Sequence, residues 1–268
     1  MSFVDHDAVA EILQGCTDRY VLPRYRQLQD SEISTKTGPN DLVTQADIDV
    51  EAHLQRVLPQ MIKGSIFVGE EGVSNGSISL DVLHTKDAAI WIADPVDGTY
   101  NFVNGKREFA VMLGLIINGV IEYGWIYDCL SGELTQAERG QGAYCNGERL
   151  RVARQIEISD MSGHINARYF PDKYREHINA MQAKFQECRS LACAGHEHLR
   201  LAKGEVQFSV YSRHKPWDHV PGSLIVQEAG GYVGHWDGAE YDFNRSKGGI
   251  IAASSKELAK QVYNFFIP

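Results

Sequence analysis

The segment WIADPVDGTYNF, residues 91–102, sets two carboxylates, Asp94 and Asp97, three residues apart where an apolar run ends. An acid followed by a proline is turn chemistry. It predicts a tight turn over residues 94–97 at the end of a buried strand, with a helix opening at Gly98-Thr99. Such a turn explains Pro95 and Gly98, but not why both acids lie against apolar sequence, because buried charge is costly unless it is paired or bound to a cation.

Three further acidic groups fall at predicted element ends: Asp47 in DLVTQAD, Glu70-Glu71 after a short apolar run, and Asp218 in PWDHVPGSLIVQEAGG. Each alone has an ordinary explanation. Thr44 and Asp47 are spaced as a helix cap and its N3 acid, and Glu70-Glu71 suits a solvated loop. Asp218 is placed as an N-cap, with Pro221 in the first turn and Gly230-Gly231 stopping the helix. Together they point elsewhere. Hard divalent cations take oxygen ligands from a few carboxylates and complete their shells with water and phosphate, and a pair of them about 3.5–4 Å apart stabilises both oxygens of a phosphoryl transfer. The Gly98 and Thr99 amides, at a helix start, would meet a phosphate.

The elements that must position these groups follow from periodicity. Helical spacing predicts a long first helix over 5–29 and a second from Thr44 that stops short of Pro59, with a polar loop around Gly38-Pro39 between them. Strands are predicted at 66–68, 88–93, 109–117 and 120–128, the last two joined by Asn118-Gly119, a two-residue hairpin turn. Two more, near 132–137 and 142–145, extend an antiparallel sheet. The polar, basic stretch 146–155 is read as a boundary between an N-terminal α+β domain (1–150) and a C-terminal α/β domain (151–268). In the second domain, apolar strands (161–166, 206–210, 249–253) alternate with helices (172–184, 194–203, 219–229, 255–265).

Composition bounds the function. The chain of 268 residues is 43% hydrophobic and 23% charged, with a formal charge of −9. That balance disfavours nonspecific binding to nucleic acid or anionic lipid, so an anionic substrate needs local cations. No apolar run is long enough for a membrane helix, and the N-terminus lacks an export signal pattern. Five cysteines without a Cys-x-x-Cys pair suit the reduced cytoplasm.

WIADPVDGTYNF resembles the Asp-Pro-x-Asp-Gly-Thr-x-Asn-Phe signature of the inositol monophosphatases, within the Mg2+-dependent, lithium-sensitive phosphatases. WDHVPGSLIVQEAGG is similar to their second signature, and DLVTQAD and GEEG match two upstream elements in order. The resemblance implies a layered α-β-α-β-α fold, a homodimer, and hydrolysis of inositol monophosphate or a related polyol phosphate by in-line attack of a metal-activated water. It implies that Glu70, Asp94 and the Val96 carbonyl hold a first Mg2+, and Asp94, Asp97 and Asp218 a second, with a third, weaker site near Glu70. Thr99, oriented by Asp47, positions the water, and Glu70 also serves catalysis. The Gly98 and Thr99 amides hold phosphate, Asp97, Ala194 and Tyr211 contact the substrate, and Lys36 closes over the site. Cys193 and the His196-Glu197-His198 run need no catalytic role.

Tyr211 and the pair Ala192-Cys193 depart from the pattern. The family's inositol phosphatases carry an acid at the position of Tyr211 and Gly-Ser or Gly-Thr at 192–193, and Arg213-His214-Lys215 adds positive charge nearby. Related activities therefore stay open: histidinol-phosphate phosphatase, 3'(2'),5'-bisphosphate nucleotidase, or a regulatory member that binds the transcription or RNA-processing machinery.

Overall fold

The structure, a computed structural model, describes residues 4–36, 38, 41–154, 156–245 and 247–267; Pro39 of the predicted loop and Gln155 of the predicted boundary lie outside them. Helix α1 (His6–Cys16) and helix α2 (Gln45–Met61) flank a small antiparallel pair, β1 (Ile33–Thr35) and β2 (Leu42–Thr44). A seven-stranded sheet follows in chain order: β3 (Ile66–Gly69), β4 (Ala89–Asp97), β5 (Ala110–Ile117), β6 (Val120–Asp128), β7 (Leu134–Glu138), β8 (Gly142–Cys145) and β9 (Glu148–Arg149). Its first pair is parallel and the rest antiparallel. Two short helices interrupt it, α3 (Glu70–Ser74) after β3 and α4 (Thr99–Val103) after β4.

A five-stranded mixed sheet is built from β10 (Ser162–Ile165), β11 (Glu187–Cys188), β12 (Phe208–Tyr211), β13 (Tyr232–His235) and β14 (Ile250–Ala253), in the order β11-β10-β12-β14-β13. Helices α5 (Asp172–Gln182), α6 (Ala194–Ala202), α7 (Pro216–Glu228) and α8 (Lys256–Phe266) complete the chain.

Strand alternation sorts these elements into layers. Along β4, Trp91 and Ala93 face a core shared with α1 and α2, whereas Ile90 and Ile92 face a core shared with α6 and α7. That second core also takes Val233 and Ala252 from the smaller sheet, so residues from both halves of the chain pack in it. The far face of the smaller sheet packs on α5 and α8 through Phe208, Ile178 and Phe266. The result is the α-β-α-β-α sandwich that the family resemblance implied.

Two helix ends differ from expectation. The first helix stops at Cys16, then widens into a π-helical turn (Thr17–Val21) and tightens into a 3-10 turn (Leu22–Arg24), ending before Arg26, whose φ is +59°. Pro59 lies inside α2, within its last turn. Proline there removes one ladder hydrogen bond and crowds the carbonyl four residues back, a cost offset by Leu54 and Leu58, fully buried, which hold the helix on the sheet. Strand β13 carried no separate expectation, and two-residue strands such as β11 and β9 are too short to show a period. The hairpin at Asn118-Gly119 forms as expected, both residues having positive φ.

Candidate active site

The double-acid segment is not a turn. Strand β4 runs on through Pro95 to Asp97, pairing Asp94 with Met112 and Asp97 with Ala110 on β5. Three residues thus advance on β4 against two on β5, a β-bulge. A bulge accommodates the proline, which cannot donate to a ladder, and re-aims the flanking side chains. Asp94 bends back to accept from the Val96 amide at 3.1 Å. The chain reverses only at Gly98, with φ +85°, where an added Cβ would stand 2.7 Å from the Glu108 carbonyl oxygen. Only glycine fits both constraints.

Thr44 and Asp47 form the predicted capping box at the start of α2. The Thr44 amide and hydroxyl both donate to Asp47 Oδ2, at 2.8 and 2.6 Å. The other oxygen, Oδ1, is left to the Thr99 hydroxyl at 3.2 Å, which also lies 2.9 Å from the Val96 carbonyl oxygen. Burial pushes the Asp47 carboxyl up to about 7. One helical turn along the same face, Glu51 accepts from the Glu71 and Gly72 amides at 2.8 and 2.6 Å and so fixes the start of α3. Sequence reading missed this role; the signal was a second acid at the i+4 position from Asp47 on the buried face of α2.

Asp218 arrives from the middle layer. Its helix begins earlier than the sequence suggested: Lys215 is the N-cap, Asp218 sits in the first turn, and Pro221 is inside the helix. Proline after Lys215, at position 216, starts the helix because its fixed φ and missing N–H cost nothing there. The helix is pressed onto β6 at Gly124, where a Cβ would meet the Pro221 carbonyl oxygen at 2.6 Å.

These elements bring oxygens of Glu70, Asp94 and Asp218 within 4.8 Å of one another. Two ammonium groups share one of those oxygens: Lys215 Nζ lies 3.0 Å and Lys36 Nζ 3.2 Å from Glu70 Oε1, and Lys36 also pairs with Glu71. Burial raises the Glu70 carboxyl, but Lys215 and Lys36 outweigh it and hold the group below its usual value. For Asp94 the Lys215 ammonium does not suffice; burial first, then repulsion from Glu70, Asp97, Asp218 and Asp47, pushes it well up. Asp218 is raised to about 8 by burial, with Lys215 opposing. Buried like charges without enough counter-charge, all oxygen donors, fit a hard divalent cation such as Mg2+.

Asp97 stands apart from that group. Its carboxylate accepts from the Gly195 and Ala194 amides at 2.6 and 3.2 Å, at the start of α6, and from the Cys193 thiol at 2.9 Å. Glu70, Asp94, Asp97 and Asp218 line one cavity of about 630 Å³, together with Gly98, Thr99, Tyr211, Arg168, Arg175 and Arg213.

A profile of the inositol monophosphatase family matches residues 6–265. The chain belongs to that family. It is 30% identical to human inositol monophosphatase 1 over 239 residues, 87% of this chain and 84% of that one. It is 34% identical to the Nus factor SuhB of Vibrio cholerae over 231 residues, 83% of this chain and 82% of that one. A Thermotoga maritima IMPase structure superposes with a TM-score of 0.84 at 26% identity, covering 97% of this chain and 95% of that one.

Within the inositol monophosphatase frame, the two sequence departures acquire structural form. Ala192 adopts φ +54°, a left-handed conformation that favours glycine. Asn101 holds this loop by donating to the Leu191 carbonyl at 2.8 Å. Tyr211 has its hydroxyl out of solvent and its ring 4.6 Å from that of His219. Burial and the neighbouring Glu197 carboxylate raise the Tyr211 phenol far above its ordinary value. Glu197, raised to about 7 by burial, accepts from the Leu191 amide and the Ser190 hydroxyl. It lies in the run for which no role was expected, and α6 places it in the cavity beside Tyr211.

Proposed function

We propose that this protein is a Mg2+-dependent phosphomonoesterase acting on inositol monophosphate or a related small polyol phosphate, in the cytoplasm and as a homodimer. The observation that carries the reading is the convergence of Glu70, Asp94 and Asp218 from three separate elements beneath one cavity. Glu70, Asp94 and the Val96 carbonyl would hold a first ion, and Asp94, Asp97 and Asp218 a second. Bound there, such ions would neutralise charge on the phosphoryl, attacking and leaving oxygens.

The chain's own groups do the positioning. Asp47 accepts a hydrogen bond from the Thr99 hydroxyl and so leaves a Thr99 lone pair for the cavity, where it can hold a water in line with the ester bond. The Gly98 and Thr99 amides take phosphate oxygens. Asp97, Ala194 and Tyr211 border the space for the alcohol.

A panel of phosphomonoesters, assayed with Mg2+, with chelator and with added lithium, tests this. We expect phosphate release that needs Mg2+ and falls with lithium; no release from any ester with Mg2+ present would overturn the reading. The 34% identity to a Nus factor supports a second, regulatory reading. Capture of transcription components by a hydrolytically dead variant at moderate salt is its test.

A further inference from the structure

Strands β10 and β12 are parallel neighbours, with Ile165 opposite Val210. The chain therefore leaves both at the same edge of the smaller sheet, the carboxyl edge where open α/β sheets receive ligands. After β10 come Arg168 and Tyr169; after β12 come Ser212 and Arg213. The two exits are tied together: the Ser212 hydroxyl donates to the Tyr169 carbonyl at 2.8 Å, and the Arg213 guanidinium lies over the Tyr169 ring, 4.4 Å from its centre. A guanidinium held by an aromatic face is pre-oriented and keeps its N–H edges available.

Both arginines line the same cavity as the carboxylate cluster. No described residue forms an ion pair with Arg213 within 4 Å. Arg175, from α5, lines the cavity too; its partner Asp172 lies at 2.7 Å but is 89% exposed, so that pair is cheap to exchange. A shallower groove continues outward past Arg168, Arg175 and Arg189. In a chain of formal charge −9, such a concentration of guanidinium at one cavity wall has a local purpose. Polyol hydroxyls do not need it.

We propose that this wall is a second anion subsite: besides the ester phosphate, the preferred substrate carries another anionic group, phosphate or carboxylate, on its alcohol portion, received by Arg213 and Arg168. The inference rests on the phosphomonoesterase reading and narrows its substrate class. Guanidinium binds either oxyanion through two parallel N–H bonds. In the reaction, the water oxygen bonds to phosphorus, the ester P–O bond breaks, and a water proton ends on the leaving alcohol. The second anion passes through unchanged.

The test compares kcat/KM, with Mg2+, for a singly anionic ester (glycerol 2-phosphate), a bisphosphate (fructose 1,6-bisphosphate) and a carboxylated ester (3-phosphoglycerate). We expect the wild-type protein to prefer at least one of the latter two by about tenfold or more, the second arm showing which oxyanion fits. Arg168→Gln/Arg213→Gln should collapse that ratio, chiefly through KM. A preference retained by the double variant, or absent from an active wild type, overturns the subsite. Should no ester be hydrolysed, calorimetric binding of the same three compounds decides. Tighter binding of a doubly anionic compound, lost in the double variant, keeps the subsite and sinks only the phosphatase reading; equal binding by both proteins sinks the subsite.

Discussion

Lys215 places its ammonium 3.0 Å from Glu70 Oε1, the oxygen that Lys36 approaches from the other side at 3.2 Å. Lys215 is also the N-cap of the helix that delivers Asp218, so one residue starts that helix and places a cation near three carboxylates, Asp218, Glu70 and Asp94. A third metal near Glu70, which the family resemblance implies, would have to displace one of these ammoniums. A fixed unit charge a few ångströms from an ion site opposes a divalent cation by an amount on the order of 1 kcal/mol once solvent screening is allowed for. Lys215→Met should therefore tighten Mg2+ binding about tenfold in calorimetry, or add a binding step that the wild type lacks. Unchanged affinity and stoichiometry would show that the ammonium does not compete.

Asp94 is the acid with most to gain from a bound cation, because burial and four carboxylates act on it together. Asp94→Asn should reduce kcat at least about 10³-fold, or roughly 4 kcal/mol of barrier. The same change removes a repelling charge, so the metal-free variant should melt no lower than the metal-free wild type. A folded Asp94→Asn protein with near-normal turnover would dismiss the cluster as the active site.

Thr99 has one hydroxyl proton and two acceptors in reach, Asp47 Oδ1 and the Val96 carbonyl oxygen. Its side chain is half-buried and contributes little to the core. Thr99→Ala should lower kcat far more than it raises KM, since the hydroxyl acts on the water in the transition state. A change confined to KM would assign Thr99 to ground-state binding.

Stability should depend on pH in an unusual direction when metal is absent. Asp47 and Glu51 are held up at about 7, each by burial first, and Asp218 at about 8. Between about 4, where such groups ionise in an unfolded chain, and about 7–8, the native state keeps protons that the unfolded state has lost. Native stability therefore falls as pH rises through that window. In chelator the melting temperature should be lower at pH 8 than at pH 5.5, and Mg2+ should raise it more at pH 8. A chelated protein that gains stability between those pH values contradicts the assignment of these buried acids.

The elements and the acidic cluster were legible because they depend on short-range rules, whereas the layering came only through the family resemblance. Thr44 with Asp47 reads as a capping box, Asn118-Gly119 as a hairpin, and the apolar run AAIWIA as a strand buried on both faces. What stayed hidden depends on tertiary partners. Pro95 looks like a turn until β5 is present to pair with Asp94 and Asp97, and then a bulge satisfies the same residues. Asp218 looks like a cap because Pro216 can start a helix only if Lys215 supplies the extended residue before it. Sequence alone assigns no role to Glu51 or Glu197; each is buried by accepting amides of a loop far away in sequence or outside its own helix.

The neighbourhood of Tyr211 changes what a specificity swap should do. Restoring an acid at this position, Tyr211→Glu, would set a second carboxylate beside Glu197, which burial already holds up at about 7. Two such groups cannot both ionise cheaply there. The single variant should therefore lose stability at neutral pH, by about 1–3 kcal/mol, and gain little in recognition of a polyol ring. Removing the competing charge should release the effect. Tyr211→Glu/Glu197→Gln should recover most of the lost stability, because the introduced carboxamide keeps a carbonyl oxygen for the Leu191 amide and the Ser190 hydroxyl. It should also shift kcat/KM toward inositol 1-phosphate over glycerol 2-phosphate by about 10-fold or more, since a carboxylate accepts two ring hydroxyls with full charge. Denaturant melts paired with a two-substrate competition read both effects in the same samples. If the single variant is as stable as wild type, or the double variant is no more stable than the single, then the two side chains are not coupled and Glu197 serves only to hold the loop at Leu191.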